Sequence, residues 1–180
     1  IKELKKYGGK LIEIPYTKGV SSYALSLHQA QIGNTPEYRL KTLRRCLSAK
    51  NLSRFIETHS PISALIAEKA VQTIKNKTKY FDGFWSSSLT DATKLGKPDN
   101  EILDLSERLN NINQIFEVTN KPLIMDIDTG GQIEHLKLNV KSIERLGISA
   151  IIMEDKTGLK KNSLLETKTL HIQENTKLFC

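Results

Sequence analysis

Four times between residues 52 and 153 a short apolar run ends in polar residues, and the first three give way to a segment of helical periodicity. The runs cover 52–57, 80–85, 122–127 and 148–153 and have the length of strands. They end in Thr58-His59-Ser60, in Ser86-Ser87-Ser88, in Asp126 with Asp128, and in Glu154. Helices are expected over 62–74, 101–118 and 133–146. Strands alternating with helices form a parallel sheet, because each return to the same edge needs a crossover. The third run, Pro122-Leu-Ile-Met, is apolar almost throughout, as a strand covered on both faces should be. The fold class is therefore α/β. Four such units are either half of an eight-stranded barrel or most of a small open sheet, and in both the chemistry gathers at the carboxyl ends of the strands.

Ahead of the repeat the chain has a different character. Residues 1–80 carry 15 Lys and Arg against 5 Asp and Glu, a net +10, whereas residues 81–180 carry 12 against 15, a net −3. That asymmetry argues for separate modules. A short helix over 1–7, a Gly8-Gly9 stop and a strand over 10–15 are expected at the start. The polar stretch 26–36 reads as a linker. Thr35-Pro36 then opens a basic helix reaching about Lys50, with Leu40, Leu43 and Leu47 on one face and Arg39, Lys41, Arg44 and Arg45 on a solvated one. A last amphipathic stretch covers 173–180.

Composition excludes several classes. Apolar runs of about six residues are far short of a membrane span. No aromatic-interleaved basic motif accompanies the positive charge, which argues against nucleic acid as a partner. Cys46 and Cys180 are far apart and lack metal-ligand spacing, so a reduced, cytoplasmic location is expected. His28, His59, His135 and His171 have no partners at metal or triad spacing.

Asp126, Asp128 and Glu154 stand at the ends of neighbouring strands. Three carboxylates there make a hard, all-oxygen site suited to Mg²⁺ and to a substrate bringing phosphate oxygens. Lys160, Asn162 and Ser163 lie just beyond and could hold an anion over that metal.

These residues carry a resemblance. Glu154-Asp155-Lys156 followed by Asn162-Ser163, the segment Trp85-Ser86-Ser87-Ser88-Leu89, the run Leu95-Gly96-Lys97-Pro98-Asp99-Asn100-Glu101 and Asp126-Ile127-Asp128-Thr129-Gly130 are similar to four segments of the phosphoenolpyruvate mutase family of the isocitrate lyase superfamily. They occur in that family's order over about residues 50–165. The resemblance implies a partial (β/α)8 barrel of the TIM type, its first four βα units in residues 51–180. It also implies Mg²⁺-dependent isomerisation of phosphoenolpyruvate and phosphonopyruvate, the P–C bond-forming step of phosphonate biosynthesis. Asp126 would bind the metal directly, with Asp128 and Glu154 acting mainly through waters. Ser87, with the amides of Ser88 and Leu89, would hold the substrate carboxylate, and Trp85 would wall the pocket. Asp99 would stand beside the migrating phosphoryl group, and Lys160, Asn162 and Ser163 would sit on a gating loop. A small-molecule substrate and a homo-oligomeric complete protein are implied as well.

Residues 1–25, with Pro15-Tyr16-Thr17-Lys18-Gly19-Val20-Ser21-Ser22, resemble the tail of a cytidylyltransferase domain, which leaves 26–50 as linker and basic helix. Two departures from the mutase pattern matter. Lys160-Lys161-Asn162-Ser163 stands where the superfamily's carbon–carbon lyases carry a Cys-Gly-His segment, which argues against lyase chemistry. The family's later units, which supply an arginine and a histidine to the substrate, would follow Cys180, so the chain is expected to be a truncated fragment, weak or inactive alone. Two other readings fit the residues: a phosphonopyruvate hydrolase with the same metal site, and a non-catalytic barrel half serving as an interaction domain.

Overall fold

The structure, a computed structural model, describes residues 6–10, 12, 35–154 and 160. The elements expected over 1–7, 10–15 and 173–180 fall wholly or mostly outside these residues. The first described helix, α1 (Pro36–Ala49), starts where the Thr35-Pro36 pair predicts, with Pro36 in the first turn. Pro suits that place because its missing N–H would have no helical partner. Of the expected apolar face, Leu43 is buried and Leu47 is exposed. The basic face is corrected at one position: Arg39 is buried, donating to the carbonyls of Phe116 (2.9 Å) and Thr119 (3.1 Å) and stacking over the Phe116 ring.

The repeat follows as β1 (Phe55–Glu57), α2 (Pro61–Lys69), β2 (Val71–Ile74), β3 (Lys77–Tyr80), β4 (Gly83–Ser86), α3 (Ser88–Thr93), α4 (Leu105–Val118), β5 (Leu123–Asp126), α5 (Ile133–Leu146) and β6 (Ala150–Ile152). Parallel pairing joins β1 to β4, β4 to β5 and β5 to β6. Each strand of the repeat thus lies beside its predecessor, in the order β1-β4-β5-β6. Sequential order is that of a barrel wall; an open doubly wound sheet reverses direction at a switch point. Helix α4 packs against α2 on one side and α5 on the other, forming a single outer layer.

Besides the short helix α3, which was not expected, structure and expectation part at two stretches. The helix expected over 62–74 ends at Lys69, and Val71–Ile74 turns back in antiparallel register on Lys77–Tyr80. Lys75 and Asn76 close this hairpin with φ of 49° and 60°, the two left-handed residues of a tight turn whose twist matches the strands. Tyr80 therefore ends β3, and the next wall strand begins at Gly83 rather than at 80. Gly83 is needed there: a Cβ would come within 2.3 Å of the Phe55 ring and 2.6 Å of the Pro122 carbonyl oxygen. The second difference lies between 101 and 105. Helix α4 waits for Asp104, whose carboxylate caps it by accepting from the Glu107 N–H at 2.9 Å.

The core lies between sheet and helices. Phe84, Ile112, Ile115, Leu123 and Met125 are all fully buried there, with Ala64, Phe116, Ile127, Ile143 and Ile148 around them. Burying each large side chain contributes roughly 1.5–3 kcal/mol. Along β5 the alternation sends Leu123 and Met125 into this layer and leaves Ile124 and Asp126 on the opposite face. The strand thereby delivers a carboxylate to the side of the sheet away from the helices.

Candidate active site

The carboxyl ends of β4, β5 and β6 lie side by side. Asp126 ends β5, and its two oxygens are both engaged. Oδ2 accepts from the Ser88 hydroxyl at 2.9 Å and from the Ser88 N–H at 3.4 Å, while Oδ1 accepts from the Asp128 N–H at 2.9 Å. The turn that makes the last bond possible holds Asp128 at φ 56°. Aspartate tolerates the left-handed region better than most side chains, yet it still costs energy there. The Glu154 N–H donates to the Asp128 carbonyl at 2.7 Å and ties the end of the β6 segment to that turn.

Lys160 comes into the middle of this group. Its ammonium donates to Asp99 Oδ1 at 2.9 Å and to the Ser88 hydroxyl at 3.0 Å, and it is hydrogen-bonded to Asp128 Oδ1. The side chains of Lys160, Asp99 and Asp128 are 5%, 7% and 9% exposed, so this is a nearly dry cluster of one cation and two acids. Burial pushes the Asp128 carboxyl above the usual aspartate value and outweighs the opposing bonds from Lys160 and Ser88. Burial also opposes the Lys160 ammonium, but its bonds to Asp128 and Asp99 prevail and hold its pKa above 10.5. At neutral pH the lysine is a fixed positive charge.

The structure brings Ser88, Asp99, Asp126, Asp128 and Lys160 together. Ser87 is the residue before α3, and Trp85 and Leu89 beside it are half-buried. The Ser88 amide faces Asp126, so within this geometry it is already engaged by a carboxylate. Asn162 and Ser163 lie outside the described residues. Glu154 is half-buried. Among the described residues, no group of three or more His, Cys, Asp or Glu side chains converges tightly enough to hold a metal ion. The donor chemistry nonetheless fits Mg²⁺, which commonly takes one or two carboxylates and fills its other positions with water and substrate oxygens. A cation already stands against these acids in the form of the Lys160 ammonium.

Three further side chains complete the rim. Arg108, buried on α4, reaches Asp91, Ser86 and the Asp126 carbonyl. Glu101 accepts from the Thr129 N–H at 2.8 Å, pinning the segment after Asp99 to the turn that holds Asp128. Glu57, at the end of β1, is hydrogen-bonded to Thr90. Glu57 sits at a strand end and was open to the same positional argument as Asp126. Arg108 gives no such signal, because an arginine within an amphipathic helix reads as part of the solvated face.

The fold and this cluster define an α/β protein with acid and base side chains gathered at the carboxyl rim of a barrel-type parallel sheet. Residues 43–177 match the family described as phosphoenolpyruvate phosphomutase, and the chain belongs to that family. It is 35% identical over 125 residues to the phosphonopyruvate hydrolase of Variovorax sp. (strain Pal2), covering 69% of this chain and 40% of that protein. It is 30% identical over 125 residues to the phosphoenolpyruvate phosphomutase of Tetrahymena pyriformis, covering 69% of this chain and 39% of that one. Among solved structures, the phosphoenolpyruvate phosphomutase of Streptomyces platensis subsp. rosaceus superposes with a TM-score of 0.63 at 31% identity, over 73% of this chain and 43% of that one. A phosphonopyruvate hydrolase in complex with oxalate and Mg²⁺ gives 0.57 at 33% identity, over 68% and 41%. The chain thus spans about two-fifths of the length of these relatives. No helix among the described residues is long and apolar enough to cross a membrane.

Proposed function

We propose that these residues are part of an Mg²⁺-dependent active site that moves a phosphoryl group between oxygen and carbon, interconverting phosphoenolpyruvate and phosphonopyruvate. The observation that carries this reading is the Lys160 ammonium held between Asp99 and Asp128 at the strand ends. A phosphoryl group in flight is loosely bonded to both its partners, so catalysis is mostly positioning and charge neutralisation. In the forward direction the P–O bond of the enol phosphate breaks and a P–C bond forms at the methylene carbon, with no net gain or loss of atoms. Lys160 supplies a fixed positive charge to the phosphoryl oxygens, and Asp99 stands beside the migrating group. Ser87 and the amide of Leu89 would bind the substrate carboxylate against the wall made by Trp85, joined by the Ser88 amide once it turns from Asp126, which it faces in this structure. Asp126 would hold Mg²⁺, with Asp128 and Glu154 assisting mainly through waters, and the bound ion would supply charge neutralisation to the substrate's oxygens. Asn162 and Ser163 belong with Lys160 to a segment that closes over the substrate, since water would protonate the enolate. Residues 1–25 are the end of a cytidylyltransferase-like domain and 51–180 the first half of the barrel, in a cytoplasmic, homo-oligomeric protein.

A second reading has its own support. The Variovorax relative at 35% identity is a phosphonopyruvate hydrolase. In that reaction water takes the place of the enolate oxygen, the P–C bond breaks, and the carbon takes a proton to give pyruvate and phosphate. Phosphorus NMR of the complete protein with phosphonopyruvate and Mg²⁺ separates the two. A growing phosphoenolpyruvate signal is the expected result, and inorganic phosphate appearing alone would refute the mutase reading.

A further inference from the structure

One guanidinium ties three parts of the rim together. Arg108 is 4% exposed, and each of its nitrogens has a different task. Nε donates to Asp91 Oδ2 at 3.1 Å. One terminal nitrogen lies 3.5 Å from both the carbonyl and the hydroxyl of Ser86, at the end of β4. The other donates to the carbonyl of Asp126, at the end of β5, and stands 3.6 Å from Asp128 Oδ2. Asp91 is itself buried and also accepts from the Ser86 hydroxyl at 3.1 Å, with Lys94 at 3.4 Å from its other oxygen. Asp91 therefore compensates the guanidinium, which a buried charge requires.

Charge balance alone would need only Asp91. The remaining contacts are directed at the residues that carry the chemistry. Asp128 occupies a costly backbone conformation, and such a conformation persists only where its surroundings hold it. Its carboxylate is divided between two cations, with Lys160 on Oδ1 and Arg108 on Oδ2. We propose that Arg108 is the positioning residue of this site. It fixes the strand end carrying Asp126 and turns Asp128 so that Oδ1 faces Lys160 and the space where a divalent cation and phosphorylated substrate meet. These contacts are spread over three separate nitrogens of a rigid planar fork, a reach that the single nitrogen of an ammonium lacks. A cavity of about 260 Å³, lined by Arg108, Asp128, Glu101, Gln132, His135 and Asn139 among others, adjoins the guanidinium. The space that Arg108→Ala would vacate adjoins this cavity.

The inference rests on the phosphoryl-transfer reading for its kinetic arm only. In the complete protein, Arg108→Ala is expected to lower kcat and Mn²⁺ affinity, the latter read by electron paramagnetic resonance, each by about 10- to 100-fold, the range for a residue that orients metal ligands. The KM for phosphonopyruvate should move much less. Added guanidinium ion should restore part of both losses, whereas methylammonium and the Arg108→Lys variant should restore little. A folded Arg108→Ala protein with unchanged Mn²⁺ affinity, full activity in Arg108→Lys, or no response to guanidinium overturns the proposal. If Arg108→Ala does not fold, Asp91→Asn loosens the same guanidinium, and unchanged kcat and Mn²⁺ affinity there also overturn it. A wild-type protein that binds Mn²⁺ but leaves phosphonopyruvate untouched refutes the function, while the Mn²⁺ comparison still decides Arg108. One that binds neither refutes both.

Discussion

Lys160 is the side chain on which the cluster's charge balance turns. It serves Asp99, Asp128 and Ser88 together in a nearly dry site, where a charge is worth far more than in water. Lys160→Met should therefore lower turnover by about 10²–10³-fold, as loss of a preorganised stabilising group does. Its elevated pKa adds a sign that can be checked. A lysine whose pKa is raised on folding contributes stability in full below 10.5, and loses it as pH rises through the higher value. Any fall in activity owed to this lysine should thus come at higher pH than for an ordinary lysine, and an alkaline limb well below the ordinary lysine range that disappears in Lys160→Met would contradict the assignment. Much of this site was legible from residue order alone. Asp126, Asp128 and Glu154 drew notice as acids ending apolar runs. Lys160 is legible too, as a cation just beyond Glu154, whereas Asp99's place in the group rests on a resemblance, because partners 61 residues apart leave no local trace.

Among the elements, the join between α1 and the wall is made by ions. Asp82, just before β4, accepts the Arg54 N–H at 2.9 Å through Oδ2 and the Lys50 ammonium through Oδ1. Burial works against the Asp82 carboxylate, yet those bonds prevail and hold its pKa below 3.8. A depressed aspartate contributes stability above its unfolded pKa and loses it as pH falls through the folded value. Asp82→Asn should cost about 1–3 kcal/mol at neutral pH, the range for losing hydrogen bonds to a charged group, here a carboxylate that is itself buried. Urea unfolding at a series of pH values should show that deficit shrinking only below 3.8; a deficit constant to pH 2 would mean that shape, not charge, matters. Element type was readable wherever periodicity was long, as in α5, whose expected bounds 133–146 coincide with Ile133–Leu146. It failed at 71–80. Val71, Thr73 and Ile74 continue the apolar spacing of a helix, but as β-branched residues they also suit a strand, and Lys75-Asn76 is not an obvious turn pair. Pairing with Lys77–Tyr80 decided the outcome, and that lies beyond any local pattern.

For the whole molecule the deciding feature is the pair of outer strands. Among the described residues β1 and β6 are each hydrogen-bonded on one side, and β6 exposes Ile151 (36%) and Ile152 (46%). An open apolar edge is a template for pairing with another chain. The 180-residue polypeptide made alone should therefore self-associate, as light scattering after size-exclusion chromatography would reveal. Ile152→Lys tests whether β6 is responsible. The bond from the Ile127 N–H to the Ile152 carbonyl is made by main chain and survives the substitution, so the β5–β6 pairing need not suffer. A lysine on the edge should then shift the isolated polypeptide toward monomer, because a second copy could pair there only by burying its charge. The same change should act oppositely in the complete protein. The relatives are about two and a half times the length of the matched region, and a barrel wall continued past β6 would cover Ile152. There the lysine would be buried without a partner and should lower the melting temperature by several degrees. If Ile152→Lys leaves both association and melting unchanged, β6 is not the edge on which the wall continues.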